Sequence, residues 1–169
     1  PSETDDDGDG SMADEDCDDS DPDSFPGNDE TPGDGADNDC DEWTDELEVC
    51  DGVYDAIQPA IDDADRGGVV QVCPGTYTEF ITISDDLTLV STDGSGATEI
   101  VAPSAGASVV TVTGDASIIG FTVSGGESDS GGGLVCSGAD LSMSDVALED
   151  NVASGNGGGL SASDCDVDF

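Results

Sequence analysis

The sequence predicts an all-β solenoid preceded by an acidic, ion-ordered loop region, and three observations carry that reading. Apolar residues switch from helical spacing to strict alternation at Val69. The run Gly131-Gly132-Gly133-Leu134 returns as Gly157-Gly158-Gly159-Leu160, and Ala116, Ile118, Phe121 and Val123 align with Leu141, Met143, Val146 and Leu148 one repeat later. A period of roughly 25 residues is that of a three-faced coil, which can bury its apolar face only by stacking on a neighbour. Ahead of these repeats, residues up to about Asp51 are dense in carboxylate, glycine and cysteine, with too few apolar side chains to fold by burial alone.

These shifts place a boundary near Cys50: residues 1–49 form an acidic calcium-binding loop region, and residues 50–169 form a capping helix followed by β-coils. One Lys or Arg against 42 Asp and Glu gives the 169-residue chain a formal charge of −41. That balance excludes nucleic acid as a partner and repels anionic membranes and polysaccharides, leaving divalent cations as the favoured partners. With six cysteines and no histidine, disulfides in an oxidising compartment are expected, hence a secreted or cell-surface protein. Spacing suggests Cys17 with Cys40 and Cys50 with Cys73, while Cys136 and Cys165 read equally as small buried hydrophobes or a third bridge. No apolar run of about 18 residues occurs, so no membrane insertion is expected. No signal peptide is visible at Pro1, as expected of a processed or excerpted chain.

Within the acidic region, Asp5, Asp7, Asp9, Gly10, Ser11 and Asp16 match positions 1, 3, 5, 6, 7 and 12 of an EF-hand loop, with Asp in place of the usual terminal Glu. Alternate carboxylates turn inward around a hard cation, and the glycine permits the sharp turn. A backbone carbonyl fills the seventh position, and the twelfth closes the shell. Two further sets follow: Asp16, Asp18, Asp19 and Asp21, then Asp37, Asp39, Asp41, Asp45 and Glu46 around Cys40. The competing reading is a solvated acidic arm.

The run DCDDSDPDSFPGNDETPGDGADNDCDEWTDE resembles the Asp-rich metal-binding repeat of MopE-like surface proteins, whose pattern is DCDD-x-DP, PG-x-x-E, DG-x-DNDCDG-x-x-DE. The resemblance implies Asp16, Asp18, Asp19, Asp21, Asp37, Asp39, Asp41, Asp45 and Glu46 as ligands. Two positions depart from it, Pro32 in place of a cysteine and Glu42 in place of a glycine. The family name evokes copper, yet copper wants imidazole, thiolate or thioether ligands, whereas all-oxygen sites favour calcium.

Tyr54, Ile57, Ile61 and Ala64 repeat at helical spacing, predicting a cap helix that ends at Arg66-Gly67-Gly68 with Arg66 in its last turn. Period-two strands follow at Val69 to Val72, Ile81 and Ile83, Leu87 and Leu89, Ile100, Val110 and Val112, Ala116 and Ile118, and Phe121 and Val123. The stretch YDAIQPAIDDADRGGVVQVCPGTYTEFITI is similar to the opening of right-handed parallel β-helix proteins of the pectin-lyase-like superfamily. LEDN at Leu148 to Asn151 followed by GGGL resembles repeats of polymorphic outer-membrane proteins and related adhesins, with Asn151 expected to satisfy turn backbone groups. About four coils fit before Phe169, and with no cap after them, further coils or self-association is expected at that end.

The function expected is non-catalytic: a secreted, calcium-binding structural or adhesive β-helix, or a subunit of an extracellular fibre built by head-to-tail stacking. Polysaccharide lyase or hydrolase activity is the enzymatic alternative, but the sole basic residue lies in the cap. Asp115, Asp140, Asp145, Glu149 and Asp150 read as well as solvated turns as they do as a catalytic pair. Surface copper binding is the third alternative.

Overall fold

The computed structural model describes residues 4–31, 36–40, 46–50 and 54–169, and the chain divides into two compact units, Pro1–Leu47 and Glu48–Phe169. The second is a parallel β-solenoid, with about 5 turns in all. After β1 (Leu47–Val49) and the short helix α1 (Ile57–Asp63), the first coil comprises β2 (Gly68–Val72), β3 (Gly75–Thr78) and β4 (Ile81–Ile83). The second comprises β5 (Leu87–Ser91), β6 (Thr98–Val101) and β7 (Val110–Val112). β8 (Ala116–Ile119), β9 (Thr122–Ser124), β10 (Glu127–Ser130) and β11 (Leu134–Ser137) make the third, where a fourth face appears. The next coil is β12 (Asp140–Ser144), β13 (Ala147–Glu149), β14 (Val152–Asn156) and β15 (Leu160–Ser163), and β16 (Asp166–Asp168) opens another.

Stacked faces run in the orders β1-β2-β5-β8-β12-β16, β3-β6-β9-β13, β4-β7-β11-β15 and β10-β14. The register turns the sequence repeat into columns of like side chains. Leu87, Ala116, Leu141 and Val167 align on the first face, and Leu89, Ile118 and Met143 form the next column inward. Ile81, Val110, Leu134 and Leu160 align on another face, and Ile100, Val123 and Leu148 on the third. Leu89, Ile100, Val110, Phe121, Val123 and Leu134 have no exposed surface, so each coil's inner alternation is spent on its neighbours. Fully burying such a side chain is worth about 1.5–3 kcal/mol.

The glycine triplets are a packing requirement. A Cβ at Gly132 would stand 2.5 Å from the Val152 carbonyl oxygen and 2.7 Å from that of Gly158, so successive coils cross there backbone on backbone. Asn151 serves the same crossing: its Oδ1 accepts from the Gly126 N–H at 2.9 Å and its Nδ2 donates to the Val123 carbonyl at 2.8 Å. Asp145, in left-handed backbone at φ 51°, accepts from the Ser95 N–H at 2.9 Å and the Ser95 hydroxyl at 2.8 Å, reaching 50 residues back along the chain. These two hydrogen bonds hold its carboxyl below the usual range. Cys136 and Cys165 are bridged, with Cα atoms 6.2 Å apart, which resolves the open reading of that pair.

The cap differs from its sequence expectation in length. Helix α1 spans only Ile57–Asp63, with Ala64 already extended, and no basic residue lies in its last turn, so Arg66 falls beyond the helix. Tertiary contacts set both ends. Ala56 offers no side-chain cap, and the carboxylate of Glu79, at the end of the first coil's second strand, accepts from the Ile57 and Gln58 N–H groups at 2.9 and 3.0 Å. Beyond the helix, Gly67 at φ 80° turns the chain so that its N–H reaches the Asp86 carbonyl at 2.6 Å. Buried Ile57 and Ala60 face the coils, as expected of a plug, and Tyr54 lies before the helix, donating its hydroxyl to Asp63. Cys50 and Cys73 are bridged beside it, and the Tyr77 hydroxyl of the PGTY turn lies 2.9 Å from the Cys73 carbonyl oxygen.

Candidate metal centre

Among the described residues before Leu47, the buried ones are Ser24, Asn38 and Glu46, all polar. The described part of the N-terminal unit is held by hydrogen bonds, a disulfide and carboxylate geometry. Between Asp5 and Asp16 each acidic residue of the alternating set folds back on its own backbone. The Gly8 N–H donates to Asp5 Oδ1 at 2.6 Å, the Asp9 N–H to Asp7 Oδ1 at 3.1 Å and the Ser11 N–H to Asp9 Oδ1 at 2.6 Å. Such turns are a local habit of Asp, and Gly8 and Gly10, at φ 89° and 111°, supply the backbone that a side chain would strain. A single helical turn follows: the Glu15 and Asp16 N–H groups both donate to the Met12 carbonyl, at 2.7 and 3.0 Å. That turn swings Asp16 back toward the loop, whose base is tied by the Ala13 N–H to the Thr4 carbonyl at 3.3 Å.

Carboxylate oxygens of Asp5, Asp7 and Asp9 consequently lie within 4.8 Å of one another. Asp7 Oδ2, Asp9 Oδ2 and Asp16 Oδ2 are buried without a hydrogen-bond partner. In each, Oδ1 is spent on a backbone N–H, Asp16 Oδ1 taking that of Asp18 at 2.8 Å, so the orphaned oxygens are the inward ones. Leaving several carboxylate oxygens buried and unpaired is costly unless a cation meets them. Partial burial raises the Asp7 carboxyl above its ordinary value, the Asp9 N–H opposes this, and the negative charges of Asp9, Asp16 and Asp5 add to the rise. Ser11 contributes its N–H to the turn.

A second grouping brings Glu30, Asp39 and Glu46 within 4.8 Å, with Glu46 only 1% exposed. Glu30 Oε1 accepts from the Asn38 and Asp39 N–H groups. Asn38, 1% exposed, is the hub: its Oδ1 accepts from the Thr31 N–H at 2.8 Å, its Nδ2 donates to the Asp23 carbonyl at 3.0 Å, and its carbonyl accepts from Phe25. Sequence reasoning passed over both residues. Glu30 was legible as the acid of PG-x-x-E, whereas Asn38 was hidden because a search for charge discounts an amide.

The remaining candidates take other places. Asp18 caps a turn, accepting from the Ser20 N–H and hydroxyl; Asp19 accepts from the Asp6 N–H at 2.9 Å; Asp21 accepts from the Asp23 N–H at 3.2 Å. None of these three joins a carboxylate grouping among the described residues. Asp37 is partly buried beside the Asn38 hub, and Asp41 and Asp45 lie outside the described residues. Cys17 and Cys40 are bridged, Cα atoms 5.5 Å apart, next to Asp16.

This donor set has a definite chemistry. The chain has no histidine, the cysteines are all oxidised, and of the two methionines Met12 is surface-exposed and Met143 is buried in the coils. Imidazole, thiolate and thioether ligation of copper is thus not offered by the described groupings, whereas carboxylate oxygen suits calcium, magnesium and manganese. Among the described residues no helix is long and apolar enough to cross a membrane.

Fold and site together define a β-solenoid protein with a disulfide-pinned, carboxylate-rich metal-binding segment. Residues 16–46 match the family model Cu-binding_MopE, described as a putative metal-binding motif. The Asp5–Asp16 loop precedes that match and shares only Asp16 with it. Comparison with curated proteins and with solved structures returned no match.

Proposed function

We propose that this chain is an extracellular, calcium-binding structural β-solenoid whose acidic N-terminal unit is ordered by bound ions and whose coils serve adhesion or surface display. The observation that carries the reading is the trio of buried, unpartnered oxygens of Asp7, Asp9 and Asp16 at loop positions 3, 5 and 12. Calcium is favoured over magnesium because magnesium demands a near-ideal octahedron and keeps its waters, whereas a flexible ring of carboxylates accommodates calcium. Three disulfides support an oxidising compartment. The parallel pairing that stacks coil on coil within the chain could also join chains, so head-to-tail association into a fibre belongs to the same reading.

A non-catalytic role is supported by what the coil carboxylates do. Asp115 Oδ1 accepts from the Asp140 N–H at 2.9 Å, Asp145 is engaged by Ser95, and Asp150 occupies a left-handed turn. The test is calorimetry on chelator-treated protein. Calcium binding with gain of order in the N-terminal unit is expected, and no binding would overturn the reading. Tighter binding of copper than calcium by the oxidised protein would favour the copper alternative, and turnover of pectin or alginate would favour the enzymatic one. Imaging of purified particles checks the fibre, since monodisperse particles argue against it.

A further inference from the structure

We infer that the Cys17–Cys40 disulfide controls the affinity of the Asp5–Asp16 cation site, so that calcium binding and thiol redox state are linked in this protein. The inference rests on the calcium reading above. Asp16 supplies the ligand that closes the loop, and among the described residues before Leu47 no apolar side chain is buried to hold it there; neighbouring Met12 is 44% exposed. Its position depends on two things. On one side is the turn from Met12; on the other is Cys17, joined to Cys40 and donating its N–H to Cys40 Sγ at 3.2 Å.

Cys40 sits in turn beside the most densely hydrogen-bonded residues described in the unit. It follows Asp39 and the buried Asn38 hub, and adopts left-handed backbone at φ 62°. The disulfide therefore ties the closing end of the cation loop to the hydrogen-bonded Asn38 element. An Asp16 carboxylate oxygen and both sulfurs lie within 4.8 Å of one another, so the bridge abuts the site itself. Cys17 is exposed, which leaves the bond open to a small reductant.

Reduction by a dithiol such as dithiothreitol breaks the S–S bond. Two electrons and two protons pass to the cysteines, giving two thiols, and the reductant closes into its own cyclic disulfide. The 23-residue tether is lost, and the cation must then supply the ordering that the bridge had supplied. Linkage requires the converse as well: calcium must make this disulfide harder to reduce, by the same factor.

Two measurements on the full chain test this. Calcium titration of the C17S/C40S variant should show affinity for this site weaker by between about tenfold and about a hundredfold, while the thermal transition of the solenoid is unchanged. In the unaltered protein, the equilibrium for reducing Cys17–Cys40 with dithiothreitol should shift by that factor between calcium and chelator, and the equilibrium for Cys136–Cys165 should not. Equal calcium affinity in the two proteins, or a calcium-independent reduction equilibrium, overturns the inference while leaving the calcium site intact. Failure of the oxidised protein to bind calcium overturns the underlying reading instead.

Discussion

Chelation should unfold the N-terminal unit while the coils remain native, and the structure indicates which amides report it. The Gly8, Asp9 and Ser11 N–H groups donate only to Asp5, Asp7 and Asp9 carboxylates, so their protection against hydrogen exchange depends on the cation keeping those carboxylates converged. A ligand at about a thousand times its Kd stabilises the state that binds it by about 4.1 kcal/mol, a factor of about a thousand in the opening equilibrium. Exchange at these three amides should accelerate by up to that factor when calcium is removed. Near the disulfide the loss should be smaller, because a bridge closing 23 residues retains about 3 kcal/mol of chain-entropy stabilisation. The Ile81 and Leu134 amides, bonded to Val109 and Gly159 between coils of apolar core, should not change. Hydrogen exchange read by mass spectrometry or NMR, with and without chelator, measures all of these at once. Equal protection of Gly8, Asp9 and Ser11 in both conditions would refute the ion-ordered loop, and equal loss in the coils would refute the separation of the two cores.

Asp9→Asn keeps the turn acceptor but removes a charge, so calcium affinity should fall by about tenfold or more in calorimetry with the coil transition unmoved. Asn151→Ala leaves the Gly126 N–H without its acceptor and removes the bond to the Val123 carbonyl, and should cost about 1–3 kcal/mol in denaturant unfolding. For Asp145 the carboxyl is depressed, so its contribution to the coils is present above the ordinary value of 3.8 and lost as pH falls through its lower folded value. Accordingly, Asp145→Ala should melt earlier than the unaltered chain at neutral pH, and the difference should shrink in strong acid.

How much was legible differs between the two halves of the molecule. In the coils the code is short-range and repeated. Alternation at Leu87 and Leu89 and recurrence at Ala116 and Ile118 dictate parallel stacking, because no other pairing buries every inward face, and the register reproduces that alignment. The helix was less legible: periodicity overran both ends, since the N-terminal cap comes from Glu79 and the chain leaves the helix by way of Gly67 and Asp86. The tie between Asp145 and Ser95 was invisible, because nothing local marks a partner 50 residues away.

The sequence alone determined the acidic loop, because its turns are made by each aspartate on backbone within three residues of itself, and spacing is all that such turns need. It likewise determined the solenoid, through a repeat that leaves one way to bury the apolar faces. Only the tertiary structure decided which carboxylates meet. It brought Asp5, Asp7 and Asp9 together with Asp16 near enough to act on the Asp7 charge, set Asp18, Asp19 and Asp21 on turns, and drew Glu30 toward Asp39 and Glu46 around an asparagine. Composition supplies charges far in excess of sites, and selection among them depends on where the Cys17–Cys40 bridge and the Asn38 hub fix the backbone.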